Sequence, residues 1–201
     1  MNFKIGNCKI SINILFFAFI AILFMFDQTA MMGLSLLAAI LHEVGHILAM
    51  KAMKCPAHSI LLRPGAVVIN TAKIQKTYKQ DIFISFAGPL VNFIAAFFCA
   101  IFLNYATSDF LTSFMWINIA LGTFNLLPTK GLDGGRILQS ILLQKMSARR
   151  ANIAINILTF IIISGILSAG IYIFLSDFQN PTLLIVGAYL AILTLLKLKE
   201  Y

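Results

Sequence analysis

Long hydrophobic stretches, separated by short polar or basic segments, dominate this chain. Five of them lie at residues 10–26, 31–53, 82–103, 153–175 and 183–196. A sixth begins near Phe110, breaks at residues 125–131 and resumes over residues 137–143. A helix needs about 20 apolar residues to cross a bilayer. The pattern therefore predicts an all-α polytopic membrane protein with about six transmembrane helices.

The hydrophobic pattern changes near residues 58–70. Two short apolar runs, at residues 60–62 and 66–69, flank Arg63, Pro64 and Gly65. Such runs around a proline–glycine turn are typical of a β-hairpin. The edges of a hairpin carry unpaired backbone groups and cannot be exposed to hydrocarbon. We therefore expect a membrane-associated hairpin at the bilayer interface or along a cavity.

Composition agrees with a chain built for lipid. Of its 201 residues, 60% are hydrophobic and only 11% are charged, whereas soluble domains carry about 25% charged residues. Six spans use most of this length. We expect one integral-membrane domain over residues 1–201, with no PDZ insertion and no CBS domain.

The net charge of +8 is explained better by membrane topology than by nucleic-acid binding. Basic and acidic loops alternate along the chain, and basic loops face the cytoplasm in most membrane proteins. The pattern predicts a multi-pass protein of the cell membrane with both termini cytoplasmic. The expected surroundings are a lipid bilayer, and no nucleic-acid partner is expected.

The second hydrophobic stretch contains His42-Glu43-Val44-Gly45-His46. In a helix, histidines four residues apart share one face, about 40° apart. This HExxH pattern binds zinc through both histidines and leaves the glutamate free as general base. Ionisable groups are costly inside a bilayer and mark functional sites. The sequence predicts one zinc ion per chain, with His42 and His46 as ligands and Glu43 as the base.

The third zinc ligand is inferred by elimination. Catalytic zinc sites of this kind add a carboxylate to the two histidines. The chain has two glutamates, of which Glu43 is the proposed base and Glu200 is the penultimate residue. Four of the five aspartates lie at predicted span ends, and Asp133 alone lies at a helix break. Asp133 is therefore the expected ligand; a helix cap or a partner of Arg136 is the alternative interpretation.

The positions of these residues predict a site in the cytoplasmic half of the bilayer. His46 lies five residues before Lys51, or about 7.5 Å along a helix. Asp133 precedes Lys145 by twelve residues, which is about 18 Å if the segment is fully helical. Both lysines belong to expected cytoplasmic loops.

Three motifs together resemble the site-2 protease family of intramembrane metalloproteases, and most closely its short sporulation-type branch. They are HEVGH at residues 42–46, GPLVN at residues 88–92, and NLLP at residues 125–128 leading into LDGGR at residues 132–136. The resemblance covers roughly residues 10–200. It implies hydrolysis of a peptide bond in or near the transmembrane segment of a membrane protein substrate.

The resemblance also implies roles for individual residues. His42, His46 and Asp133 correspond to the zinc ligands, and Glu43 to the residue that activates water. Asn92 and Asn125 correspond to asparagines expected to bind substrate. For both asparagines, a helix–helix hydrogen bond without a role in catalysis is the alternative. The expected substrate is a single-span protein, such as a sigma-factor precursor or an anti-sigma factor.

One departure from the family pattern lies beside the expected ligand. Members often have proline two residues before the aspartate, and this chain has Gly131 there, preceded by Lys130. We expect a more mobile loop, with a cation close to the zinc that influences the choice of substrate.

Two other functions are compatible with a membrane protein that contains the HExxH pattern. A membrane zinc transporter would need further ligands on neighbouring spans, and the interiors of the spans at residues 82–103, 153–175 and 183–196 contain no His, Asp or Glu. A scaffold that binds membrane helices without cutting them would not need the intact pattern. Both remain alternatives to the protease.

Overall fold

The structure is a computed structural model that describes residues 2–5, 8–12, 21, 24–25, 31–55, 57–63, 66–71, 76–176 and 181–198. Within these residues lie four strands and six helices. The strands are β1 (Asn2–Ile5), β2 (Cys8–Ile12), β3 (Ala57–Arg63) and β4 (Ala66–Thr71). The helices are α1 (Met31–Ala52), α2 (Tyr78–Leu103), α3 (Asp109–Asn125), α4 (Asp133–Lys145), α5 (Ala148–Ser176) and α6 (Thr182–Leu198).

Three of these helices are long and apolar enough to cross a membrane. They are α1, α2 and α5, with 22, 26 and 29 residues, and an apolar but shorter helical segment lies at Thr182–Thr194. Large hydrophobic side chains are exposed along them, including Leu48, Phe97 and Phe160. Exposed apolar surface of this extent suits contact with lipid. The predicted number of about six spans stays a prediction.

The four strands form one sheet in the order β1-β2-β3-β4. β3 and β4 pair antiparallel, with Ile60 opposite Ile69 and Leu61 opposite Val68. These strands contain the two apolar runs that predicted a hairpin, while Pro64 and Gly65 between them lie outside the described residues. β2 pairs with β3 in parallel and with β1 antiparallel. Association of the sheet with a membrane stays a prediction.

The start of the first predicted span was wrong. Residues 10–12 belong to strand β2, not to a helix. The segment Cys8-Lys9-Ile10-Ser11-Ile12 alternates apolar and polar residues, which is the period of a strand, and β3 provides a partner edge. Most of the remaining span, to residue 26, lies outside the described residues. Helices make up most of the fold, as the hydrophobic pattern predicted, and a four-stranded sheet accompanies them where a single hairpin was expected.

Helix α2 begins at a well-defined cap. The Thr77 hydroxyl accepts a hydrogen bond from the backbone N–H of Gln80, and the Gln80 side chain accepts one from the backbone N–H of Thr77. This reciprocal arrangement satisfies two N–H groups that a helix start leaves unpaired. Pro89 lies inside α2, at a position where it removes one hydrogen bond of the helix.

The chain divides into two compact units, residues 1–124 and 125–201. In the first unit, α1 packs directly on α2. A Cβ added to Gly45 of α1 would lie 2.7 Å from the carbonyl oxygen of Ala87 and 2.9 Å from Cγ2 of Val91. A side chain at residue 45 would therefore force the two helices apart.

In the second unit, α5 packs on α6 and on α4. Lys130 holds the loop that precedes α4 against α5 and α6. The Lys130 backbone N–H donates to Oγ1 of Thr159 at 2.8 Å, and the Lys130 carbonyl accepts from Oγ1 of Thr194 at 3.3 Å. These bonds fix the loop within its own unit, at the residue just before Gly131.

Candidate metal centre

His42 and His46 lie one turn apart on α1 and point to the same side, as their spacing predicted. Their side chains are only 5% and 8% exposed. The two Nε2 atoms lie 3.1 Å apart, and the rings stand nearly perpendicular, at 86°. Two imidazole nitrogens thus converge on one point in the first unit.

The other ring nitrogen of each histidine is occupied by a hydrogen-bond acceptor. His46 Nδ1 lies 2.8 Å from the carbonyl oxygen of Ile84, and His42 Nδ1 lies 2.7 Å from Oδ1 of Asn92. A carbonyl oxygen can only accept, so Nδ1 carries the proton in both rings. A neutral imidazole has one N–H. When both rings are neutral, the two facing Nε2 atoms therefore carry no proton.

This arrangement fits zinc. Two lone pairs that face each other at 3.1 Å repel unless a cation lies between them. Tetrahedral zinc with Zn–N bonds of about 2.0–2.1 Å places two nitrogen ligands about 3.3 Å apart. Metal-binding histidines also typically donate their second N–H to a carbonyl or carboxylate oxygen. Both features are present at His42 and His46.

A backbone group that serves His46 was missed by the sequence reasoning. Ile84 is buried at 3% exposure on α2, and its carbonyl oxygen holds the ring through a contact that any residue type could make. No residue-level signal could have found it. The glycine of the GPLVN motif was a better signal, because Gly88 faces both rings.

Asn92 lies where its hydrogen bonds orient His42. It is fully buried, its Oδ1 accepts from His42, and its Nδ2 donates to the carbonyl oxygen of Ala38 at 3.1 Å. The structure therefore brings this motif residue to a histidine of α1. Its expected role in binding substrate stays a prediction.

Glu43 follows His42 on α1 and is half-buried. One residue further along a helix corresponds to a rotation of about 100°, so its carboxylate leaves the axis on a different side from His42. That position is compatible with a general base that is not itself a metal ligand. The role of Glu43 as the base stays a prediction.

Two predicted site residues belong to the second unit. Asp133 is the first residue of α4 and is 7% exposed, and Asn125 is the last residue of α3 and is half-buried. Gly134 and Gly135 pack on the loop before α4: a Cβ on Gly134 would overlap the Leu126 carbonyl, and one on Gly135 the Thr129 carbonyl. The two glycines of LDGGR thus allow α4 to begin close to this loop, which fixes Asp133 within its unit.

The loop itself turns at the position where the family pattern has proline. Gly131 has φ = 118°, a conformation that residues with side chains rarely adopt. Proline cannot reach it, because its ring holds φ at a negative value. A proline at this position would therefore require a different backbone path. The Lys130 Nζ donates to Oδ1 of Asn156 at 3.4 Å. Its expected influence on substrate choice stays a prediction.

Comparison with known proteins links this site to a family. The profile of peptidase family M50 matches residues 29–108 and 103–165. Zinc metalloprotease MJ0392 of Methanocaldococcus jannaschii is 30% identical over 190 residues, covering 86% of this chain and 56% of that protein. Putative zinc metalloprotease Rip3 of Mycobacterium tuberculosis is 34% identical over 116 residues, covering 53% of this chain and 30% of that protein. The chain thus spans about half the length of the first of these relatives and less than a third of the second.

A solved structure has a similar fold. The site-2 protease from Methanocaldococcus jannaschii superposes with a TM-score of 0.69 at 28% sequence identity, covering 96% of this chain and 93% of that one. The sporulation-type branch suggested by the motifs stays a prediction. Since the family profile extends over residues 29–165 and includes the two facing histidines as well as the LDGGR segment, the chain belongs to peptidase family M50.

Proposed function

We propose that this protein is a zinc metalloendopeptidase that hydrolyses a peptide bond in or near the transmembrane segment of a membrane protein. The observation that carries the proposal is the pair of Nε2 atoms, 3.1 Å apart, on the apolar 22-residue helix α1. Relatives that are zinc metalloproteases support the same conclusion.

His42, His46 and Asp133 would hold one zinc ion per chain. All three side chains are buried and carry the donor atoms that zinc takes in hydrolases. Three protein ligands leave the fourth position of a tetrahedral site for water or substrate.

Glu43 moves the proton during hydrolysis. Bound zinc acts as a Lewis acid, polarising the scissile carbonyl and making water more acidic. The Glu43 carboxylate takes a proton from the attacking water as the new C–O bond forms. It then gives that proton to the leaving amine as the C–N bond breaks. The two products are a new carboxyl end and a new amino end.

The sheet offers a means of holding the substrate. A helical substrate has its backbone groups paired internally and must unwind before attack. β4 lies at one end of the strand order, so its outer edge can pair with an unwound segment by β-addition. We assign Asn125 to substrate binding. Asn92, which was also expected to bind substrate, is fully buried and supports the site by its hydrogen bond to His42.

The substrate class and the membrane orientation follow from the sequence pattern. We assign a single-span membrane protein as substrate, of the kind represented by sigma-factor precursors and anti-sigma factors. The distribution of basic loops supports a multi-pass protein of the cell membrane, with both termini cytoplasmic and the site in the cytoplasmic half of the bilayer.

Cleavage of a panel of single-span substrates in membranes tests the proposal. Wild type is compared with Glu43→Gln and Asp133→Asn, and zinc content is measured for each. Asp109→Asn is the matched control, because Asp109 is an exposed carboxylate at the start of α3. We expect both site variants to lose cleavage, with zinc retained in Glu43→Gln and reduced in Asp133→Asn.

The Glu43→Gln variant also separates the protease from the alternative functions, when zinc flux and cellular function are measured in addition to cleavage. Cleavage that persists in Glu43→Gln would rule out the proposed chemistry. Zinc flux across the membrane that depends on Glu43 would favour a transporter, and unchanged cellular function in Glu43→Gln would favour a scaffold.

A further inference from the structure

We propose that Asn118 of α3 is a positioning residue for the metal centre. It acts through Asn92 to keep the proton of His42 on Nδ1, which leaves Nε2 able to bind the metal. The inference rests on the proposed zinc-binding role of His42. Its own evidence is a chain of buried hydrogen bonds within the first unit, which connects α3, α2 and α1.

Each hydrogen bond in this series is short. Asn118 Nδ2 donates to the carbonyl oxygen of Phe114 at 2.9 Å, and Asn92 Nδ2 donates to Asn118 Oδ1 at 2.8 Å. His42 Nδ1 lies 2.7 Å from Asn92 Oδ1. Asn92 and Asn118 both have zero exposed surface, so water cannot take over any of these bonds.

The order of donors and acceptors in this series of hydrogen bonds is determined at the Phe114 carbonyl. The Phe114 carbonyl can only accept, so the Asn118 amide group must present its nitrogen to Phe114 and its oxygen to Asn92. Asn92 must then present its nitrogen to Asn118 and to the carbonyl of Ala38, with its oxygen left for His42. His42 consequently carries its proton on Nδ1 and keeps Nε2 unprotonated. Orientation of a ligand histidine by its second nitrogen is a general property of metal sites.

The packing of α3 against α2 brings Asn118 within reach. Gly122 lies four residues after Asn118, one turn further along the same face of α3. A Cβ on Gly122 would lie 3.1 Å from the Phe93 ring and 3.3 Å from the Pro89 carbonyl oxygen. The absence of a side chain at residue 122 thus lets α3 approach α2 next to Asn92.

Loss of the Asn118 oxygen removes one of the two acceptors that orient the Asn92 amide, and the Ala38 carbonyl remains as the other. One Asn92 N–H then has no acceptor, so the amide turns over in a larger fraction of the molecules and places its nitrogen opposite His42. That nitrogen can only donate, so in these molecules His42 accepts at Nδ1 and carries its proton on Nε2. A protonated Nε2 cannot bind zinc. Removal of such outer partners commonly weakens metal binding by about 10–100-fold.

The test compares zinc affinity in Asn118→Leu and Asn118→Asp by competition with a chelator. Leucine has nearly the same size as asparagine and no acceptor, so we expect binding to weaken by about 10–100-fold. Aspartate keeps an acceptor oxygen for Asn92 and, in its protonated form, donates to the Phe114 carbonyl as the amide does, so we expect a smaller loss of affinity than in Asn118→Leu. Thr112→Val is the control: its exposed hydroxyl on α3 donates to the Ser108 carbonyl one turn earlier, and its removal leaves zinc affinity unchanged.

Two further measurements separate positioning from general destabilisation. The ¹⁵N shifts of the His42 ring in metal-free protein should show a proton on Nδ1 in wild type and a larger fraction of the proton on Nε2 in Asn118→Leu. In an Asn92→Ala background, Asn118→Leu should have no additional effect on zinc affinity, because the two residues act in series. Unchanged affinity and an unchanged ring proton in Asn118→Leu would overturn the inference. Proteolysis enters neither measurement, so a failure of the proposed protease function is a separate result.

Discussion

Gly88 of α2 lies against the ring of His46 so closely that no side chain fits between them. A Cβ built on Gly88 would lie 2.5 Å from His46 Nε2 and 2.8 Å from His42 Cε1. The nitrogen that faces the metal is therefore the atom that a larger residue would displace first. Helix α2 serves the site both by the bonds it makes and by the volume it leaves free.

Gly88→Ala should consequently lose zinc binding as well as stability. Insertion of a methyl group into a packed site costs about 1–3 kcal/mol, and here the displaced atoms are the ligands. Zinc content and thermal unfolding measure the two effects. Gly165→Ala is the control, because Gly165 is an exposed glycine of α5 and a Cβ built on it would have no neighbour within 4 Å in the described part of the chain. Alanine there should stabilise the helix by up to about 1 kcal/mol; equal behaviour of the two variants would contradict the packing argument.

Gly131→Pro should disrupt the loop before α4. The backbone at Gly131 has φ = 118°, whereas the proline ring requires a negative φ. Gly131→Ala should cost about 1–3 kcal/mol, the usual penalty for such a conformation in a residue with a side chain. Chemical unfolding of both variants measures the effect. A Gly131→Pro protein as stable as wild type would mean that the loop readily adopts the family's backbone path.

Ser85→Ala should leave stability nearly unchanged, within about 0.5 kcal/mol. The Ser85 hydroxyl is fully buried and has no hydrogen-bond partner among the described residues. Thr159→Val is the informative contrast, because Oγ1 of Thr159 accepts from the Lys130 N–H at 2.8 Å. Its removal leaves a donor without its partner, at a cost of about 1–3 kcal/mol. Thermal unfolding in detergent compares them, and a larger loss in Ser85→Ala would show that its hydroxyl has a partner such as bound water.

Zinc should stabilise the wild-type protein and not His46→Ala. A ligand that binds only the folded state adds about 2.7 kcal/mol at a concentration of 100 Kd. The measurement is the shift in Tm when zinc is restored after chelation. His58→Ala is the matched control, since His58 is the third histidine of the chain and lies outside the proposed ligand set. A similar shift in wild type and His46→Ala would place the bound zinc elsewhere.

The helical positions of the proposed ligands could be predicted, and their outer partners could not. His42 and His46 share a face because of helix pitch alone, so sequence spacing was sufficient. Asn118 is a single polar residue in the hydrophobic helix α3, with no motif to mark it. Its importance depends on α3 lying next to Asn92, which is a tertiary contact. Ile84 acts through its backbone and leaves no trace in the sequence.

The strands near the N-terminus were missed for a different reason. Ile10, Ser11 and Ile12 adjoin a long hydrophobic stretch, and a hydropathy window merges them with it. Their alternating pattern is a strand signal, but a strand of five residues is stable only beside a partner edge. That partner, β3, begins only at Ala57, beyond the whole of helix α1.

The parallel pairing of β2 with β3 also constrains how the chain is threaded through a bilayer. Two strands joined by backbone hydrogen bonds, with Ile10 opposite Ile60, must lie on the same side of the membrane. Any passages through the bilayer between Ile12 and Ala57 must therefore be even in number. Helix α1 lies between these two strands in the sequence, so the sheet links the chain before α1 to the chain after it. It ties β1 and β2 to the membrane side at which α1 ends.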